Sequence, residues 1–297
     1  MKYSKSPENF GYIHDSLSNY PDSRFVILPI PYEKTTTYMK GTANGPKAII
    51  RASQNMELYD EELCENICEA GICTLEELKI EEKPEIMVDI VCRNVKKLLD
   101  GSKFPVVIGG EHSITPGCVK AFAEKYETFS VLQIDAHADL REDYDGTKFS
   151  HACAMKRCFD ITPNIIQAGI RSLSCEEAEF ISENNLRLFW AKDIFGNDYW
   201  MDEAISKLKE NVYITLDLDA FDPSEMPSVG TPEPGGLHYY QVLKFLGKVC
   251  KQRSVVGFDV VELRPNKDEA SSDFTAAKLV YKLIGYVYYK NKRNSHQ

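Results

Sequence analysis

No run of apolar residues in this chain approaches the roughly 20 needed to cross a bilayer, and the opening stretch MKYSKSPENFGYIHD lacks the apolar core of a secretory leader. The expectation is a cytoplasmic protein with no membrane partner. Repeats, flexible linkers and low-complexity tracts are also missing, so no internal boundary is drawn and residues 1–297 read as a single domain. Positive charge is in short supply: 35 Lys and Arg face 45 Asp and Glu, a net charge of −10. That balance argues against nucleic acid as a partner and suits a small cationic substrate. Nine cysteines are an odd number, scattered from Cys64 to Cys250 in a chain too long to need staples, and they are expected as free, buried thiols.

What the chain does contain is Val131-Leu132-Gln133-Ile134-Asp135-Ala136-His137-Ala138-Asp139, an apolar run ending in three potential metal ligands at alternate positions. In extended backbone, residues i, i+2 and i+4 share a face, so these three side chains converge while the alanines turn away. A second run, Val212 to Asp219, ends in Asp217 and Asp219 with the same two-residue spacing. Around these runs, strands are expected at 24–31, 104–108, 130–135, 164–170, 186–190, 211–217 and 254–260. Helices are expected at 45–58, 84–99, from about 115, around 153–159, and at 174–184, 199–210, 239–251 and 271–289. Residues 1–24 read as irregular, and the acidic stretch within 57–84 reads as a solvated excursion without chemistry. Alternating strands and helices with near-continuous apolar strands predict an α/β fold, a mainly parallel sheet covered on both faces. Sites in such sheets lie at the carboxyl ends of the strands.

The strand-tip groups at that end are His112, Asp135, His137, Asp139, Asp217 and Asp219. Four carboxylates crowded together repel one another strongly at low dielectric, so the cluster calls for positive charge. Six ligands overfill one zinc and suit two divalent cations that share a carboxylate. An oxygen-rich set with two imidazoles and no thiolate favours manganese over zinc. Two such ions per chain would furnish hydroxide at neutral pH. Glu262, at the end of the 254–260 strand, is suited to hold a guanidinium in a two-point hydrogen bond. His151 is suited to carry a proton to a departing amine. The competing readings make Glu262 a structural partner of Arg264 and His151 a cap or packing group for the next helix. Asp222-Pro223 reads as turn chemistry, 230–236 as a loop beside the site, and His14, His238 and His296 as surface or structural groups.

Gly109-Gly110-Glu111-His112-Ser113, Asp135-Ala136-His137-Ala138-Asp139, Ser150-His151, Asp217-Leu218-Asp219-Ala220-Phe221-Asp222-Pro223 and Gly230-Thr231-Pro232-Glu233-Pro234-Gly235-Gly236 together resemble the ureohydrolases, the arginase and agmatinase family. The resemblance implies a three-layer α/β/α sandwich, a dinuclear manganese centre held by the six ligands, and assembly as a homo-oligomer, a trimer or hexamer. It also implies that Asp139 orients the hydroxide, His151 shuttles protons and binds substrate, and Glu262 positions the guanidinium. Ser150-His151-Ala152-Cys153 and Asp259-Val260-Val261-Glu262-Leu263-Arg264-Pro265 are similar to the agmatinase versions, which implies cleavage of agmatine to urea and putrescine. Arginine, guanidinobutyrate and aminopropylagmatine are the alternative substrates. In the segment 140–148, Glu142, Asp143 and Asp145 favour a cationic tail, but Arg141 and Lys148 nearly cancel them. Glu111 stands where many relatives carry Asp, and is read as a tolerated difference. Two further readings are a single-zinc amide deacetylase of the same fold and a non-catalytic subunit, the latter disfavoured because no ligand is missing.

Overall fold

The apolar runs pair into one sheet because strands buried on both faces leave no polar side chain to solvate and only neighbouring strands to satisfy their backbone groups. The computed structural model describes the backbone through residue 294 and side chains through 290, so His296 lies outside the described residues. The strands are β1 (Phe25–Ile30), β2 (Tyr59–Asp60), β3 (Glu65–Asn66), β4 (Ile72–Thr74), β5 (Phe104–Gly109), β6 (Ser130–Ile134), β7 (Ile165–Ile170), β8 (Arg187–Trp190), β9 (Asn211–Asp217) and β10 (Ser254–Val261). Eight of them form a sheet in the order β4-β1-β5-β10-β9-β6-β7-β8, with every pairing parallel. The helices are α1 (Asp15–Ser18), α2 (Gly45–Ser53), α3 (Pro84–Asp100), α4 (Thr115–Ala123), α5 (Ala154–Ile161), α6 (Cys175–Glu183), α7 (Ala191–Ile194), α8 (Tyr199–Lys207), α9 (Tyr239–Gln252) and α10 (Ser271–Asn294).

Alternate residues of each strand enter two separate cores. Phe25 and Ile27 of β1, Val106 and Ile108 of β5, and Leu132 and Ile134 of β6 pack with Ile49 of α2, Met201 of α8, Leu246 of α9 and Val280 of α10. Val26, Val107 and Val131, one position out of phase, pack with Val91 of α3, Phe122 of α4 and Met155 of α5. The two cores on opposite faces make the expected three-layer α/β/α sandwich. Burying side chains of this size stabilises the fold by roughly 1.5–3 kcal/mol each. No described helix is long and apolar enough to cross a membrane.

Two segments differ from expectation. The stretch 57–84 is anchored: β4 extends the main sheet beside β1, and Asp60 is fully buried. A three-residue strand behind an acidic run carries too little periodicity to be seen in the sequence. At the N-terminus, Phe10 and Ile13 are buried in the α2/α10 core, although their surroundings are polar. Helix α2 also stops at Ser53, five residues short of its expected end. All nine cysteines are free as expected, and Cys64 and Cys175 are exposed where buried thiols were expected.

Candidate active site

The four central strands β5, β10, β9 and β6 are neighbours, and each delivers a polar residue at its carboxyl end: His112, Glu262, Asp217 and Asp135. Gly110 makes the first of these turns feasible. A Cβ there would stand 2.2 Å from the Tyr32 carbonyl oxygen, and the bare backbone instead threads between β1 and β10, donating to Ile30 O and accepting from Glu262 N. Asp139 and Glu262 adopt left-handed backbone, φ 54° and 68°. Such strain in non-glycine residues persists where the surrounding structure over-determines it.

Every ligand expected from the sequence is brought to one place. Nδ1 of His112 lies 3.2 Å from Asp135 Oδ2, 3.0 Å from Asp139 Oδ2 and 3.5 Å from Asp217 Oδ2, yet this buried nitrogen is aligned for a hydrogen bond with none of them. That is how ligands arrange around a shared point between them. Nδ1 of His137 lies 2.9 Å from Asp219 Oδ2 and 3.7 Å from Asp135 Oδ1. His112, Asp135 and Asp139 form one triad able to hold an ion, and Asp135, His137 and Asp219 form a second, with Asp135 common to both. The donor set, carboxylates and imidazoles without sulfur, fits two oxygen-preferring divalent cations.

The titration behaviour shows how much positive charge the cluster demands. Burial opposes a charge on His137, but Asp219 and Asp135 outweigh it and raise its pKa to about 12. His112 is likewise raised well above its ordinary value against the pull of burial, by Asp135 and Asp139 beside it. Asp139 is pushed up to about 7 by burial and by the neighbouring charge of Asp135, and burial together with Asp219 and Asp135 raises Asp217.

Groups that the sequence left without a role hold these side chains in place. The other ring nitrogen of His112, Nε2, meets Thr215 Oγ1 at 2.8 Å, and Thr215 donates to Asp259 Oδ1 at 2.6 Å. Asp259 also accepts from Tyr213 and Thr115. Gln133 donates to Asp135 Oδ2 at 2.6 Å and is itself held by Gln167. The signal available was a buried polar residue inside an apolar central strand, seen in VLQI, YITL and GFDV. Glu111 accepts from Lys34 N, Thr35 N, Thr35 Oγ1 and Ser113 Oγ. Thr35 Oγ1 in turn accepts from His151 N, so Glu111 ties the loop after β1 to His151.

A cavity of about 180 Å³ is lined by His137, Asp139, Asp217 and Asp219 together with His151 and Glu262. His112 N donates to Glu262 Oε1 at 2.7 Å, while Arg264, the competing partner, donates to Lys40 O. His151 opens a short 3-10 turn before α5. Its Nε2 is buried without a partner, and burial followed by the positive imidazoles lowers its pKa to about 4. Arg141 and Tyr144 also line the cavity, the guanidinium lying over the phenol ring. Glu142, considered for a cationic tail, is instead engaged by Lys148, Lys156 and Arg157. Asp222 accepts from Ser224 N, Gly235 N and Gly236 N, which is the expected turn chemistry. His14 caps α1 and His238 pairs with Glu225, both away from the site.

The model of the arginase family matches residues 23–285. The N(1)-aminopropylagmatine ureohydrolase of Synechocystis sp. is 41% identical over 96% of this chain and 95% of its own length. The agmatinase of Pyrococcus horikoshii is 34% identical over 89% and 92%. Among solved structures, the agmatine ureohydrolase of Thermoplasma volcanium superposes with a TM-score of 0.89 at 32% identity, covering 97% of each chain. With its six ligand-type residues gathered at the strand ends and this likeness along nearly its whole length, the chain belongs to the arginase family.

Proposed function

We propose that this protein is a dinuclear manganese hydrolase that splits a guanidino compound into urea and an amine, acting on agmatine to release putrescine. The observation that carries the reading is the convergence of four carboxylates and two imidazoles at a cavity that Glu262 and His151 also line. His112, Asp135, His137, Asp139, Asp217 and Asp219 would hold the two ions. When bound, the cations neutralise the carboxylates and make a water-derived nucleophile available at neutral pH.

The chain's own residues do the rest. Glu262, oriented by the His112 N–H, receives the substrate guanidinium. Burial and the Glu111 charge raise its pKa, and a permanently charged guanidinium opposes that rise and keeps the carboxylate ionised. Attack at the guanidinium carbon gives a tetrahedral centre, from which the bond to the tail nitrogen breaks. His151 is neutral in the resting site, so its Nε2 takes the proton of the newly added hydroxyl and returns it to that nitrogen, which leaves as an amine while the carbon closes to urea. Without this proton the leaving group would depart as a high-energy amide anion.

A second reading, with N(1)-aminopropylagmatine as substrate, is supported by the 41% identity to the Synechocystis enzyme of that name. Both compounds present a guanidino head on a cationic tail. The test is urea release by the manganese-loaded protein with agmatine, N(1)-aminopropylagmatine, arginine, guanidinobutyrate and guanidinopropionate. The ratio of kcat/KM between the first two selects the substrate. No urea from any of them, or one metal ion per chain with amide cleavage, would overturn the assignment.

A further inference from the structure

We propose that Arg171 is a positioning residue for one of the two cations, the one that Asp135, His137 and Asp219 would hold. The inference rests on the two-cation reading above. Arg171 follows β7, and its main-chain N–H donates to Ala136 O at 2.8 Å, between the ligands Asp135 and His137. Ser172 N donates to the same oxygen, and Ala138 N donates to Ser172 O. The side chain then reaches past β6 to the segment after β9. Nη2 donates to Asp219 O at 2.8 Å, Phe221 O at 3.2 Å and Glu233 O at 2.8 Å. Nη1 donates to Ala220 O and Gly169 O, both at 3.2 Å, and Nε to Pro234 O at 3.0 Å.

All six acceptors are backbone carbonyls, so what Arg171 fixes is the path of three chain segments that meet at this ion. A guanidinium offers five N–H groups in a rigid planar fork, whereas an ammonium offers three on a flexible stem. Lysine, with three donors for six acceptors, would leave at least three of these carbonyls unheld. Among those segments, Asp219 supplies a ligand, and Glu233 places its carboxylate Oε1 3.8 Å from His137 Nε2, on the ring nitrogen opposite the one facing Asp219. At 3.8 Å the approach is an ion pair rather than a hydrogen bond, and groups that orient a ligating imidazole from that side are worth about 10–100-fold in metal affinity. The other triad has separate support, since His112 is held through Thr215 and Asp259. Loss of Arg171 should therefore loosen one ion and spare the other.

The experiment is equilibrium dialysis of Mn²⁺ against the metal-stripped full chain, with electron paramagnetic resonance of the loaded samples. The variants are Arg171→Lys and Arg171→Met, with Arg253→Lys as control. Arg253 makes the same kind of bonds, to Leu208 O, Gln252 O and Ile205 O, at the opposite end of the sheet. We expect two ions in the unaltered protein. In both Arg171 variants one ion should lose about tenfold or more in affinity, of the order seen when ligand-orienting groups are removed, while the other is unchanged. The exchange-coupled signal of an ion pair should give way to that of isolated Mn²⁺, and excess Mn²⁺ should restore kcat. Arg253→Lys should lower Tm and leave both affinities alone. If Arg171→Met fails to fold, Arg171→Lys, which keeps the charge, carries the comparison. An unaltered protein with two ions and Arg171 variants that hold both as tightly, or lose both in parallel, would overturn the inference alone. A single ion in the unaltered protein would overturn the two-cation reading beneath it.

Discussion

Beside α10, Asp60, Glu61 and Glu62 surround the ammonium of Lys282 at 3.0, 3.1 and 3.3 Å. At the carboxyl end of the sheet, Asp135, Asp139, Asp217 and Asp219 face the imidazoles of His112 and His137. Both groups contain fully buried carboxylates, Asp60 in one and Asp135 in the other, and a buried charge needs a partner. The first group has a permanent one in its own chain, an ammonium whose proton is held more tightly because the surrounding carboxylates outweigh burial. The second is met by groups that are ordinarily neutral near pH 7, and those imidazoles are driven far above their normal pKa. The difference separates a structural ion-pair cluster from a site prepared for external cations. Acidic density alone does not mark a metal centre; acidic density whose counter-charge must come from outside does.

The largest effect expected from breaking this contrast is at Asp135, common to both triads, and at Asp217 beside His112. Asp135→Ala or Asp217→Ala should reduce urea release to background and metal occupancy with it, by colourimetric urea assay and elemental analysis. A variant that turns over normally would remove the basis of the metal centre. His151→Asn should follow, with kcat reduced by about 10²–10⁴-fold, the usual range for a lost proton-transfer group, and metal content unchanged. The same variant gives a pH test. The folded-state pKa of His151 is about 4 against an ordinary 6.5, with burial as the main cause. Between those values the unfolded chain binds more protons, so this group's contribution lowers stability as pH falls from 6.5 to 4. Chemical denaturation of the metal-free protein across that range should therefore show a shallower acid loss in His151→Asn.

Lys282→Met probes the other cluster. Removing one partner of a buried ion pair costs about 3–5 kcal/mol, so Tm should drop markedly while manganese stoichiometry and KM stay unchanged. Coupled loss of metal would show that the two clusters are linked and that the contrast is false.

How far each cluster was legible in the sequence follows from its spacing. The alternate spacing of Asp135, His137 and Asp139 and of Asp217 and Asp219 marked them as a group in the sequence, but only Asp217 lies in a strand. β6 stops at Ile134, Asp139 is left-handed and Asp219 sits in the 3-10 turn Leu218–Ala220, so turns after the strands, rather than extended backbone, gather them. The parallel sheet then puts His112 and Glu262 at the same edge. Lys282 lies more than 200 residues from Asp60 in sequence, and nothing local connects them, so the acidic stretch read as solvated. The same limit hid Arg171, whose partners are carbonyl groups that every residue carries. Asp259, Thr215 and Gln133 are intermediate cases. Each is a polar residue in an apolar central strand, which marks it as unusual, but its partner depends on the register of neighbouring strands, such as Asp259 opposite Thr215.

That register leads to the smallest effect. A ligating imidazole is oriented through its second ring nitrogen, and here the chain runs from His112 Nε2 to Thr215 Oγ1 to Asp259. With Asp259 accepting from Thr215, Tyr213 and Thr115, the Thr215 hydroxyl hydrogen is committed to the carboxylate, and its lone pair faces His112. In the neutral ring that an ion requires, Nε2 then carries the proton, and Nδ1, directed at Asp135, Asp139 and Asp217, is free to bind. Thr215→Val keeps the shape and deletes that acceptor. It should weaken the ion at His112 by about 10–100-fold, with the ion at His137 unaffected, the reverse of the selectivity expected for Arg171. Metal titration of the two variants side by side makes each the control for the other. Equal loss of both ions in Thr215→Val would mean that the two halves of the centre are not separately supported.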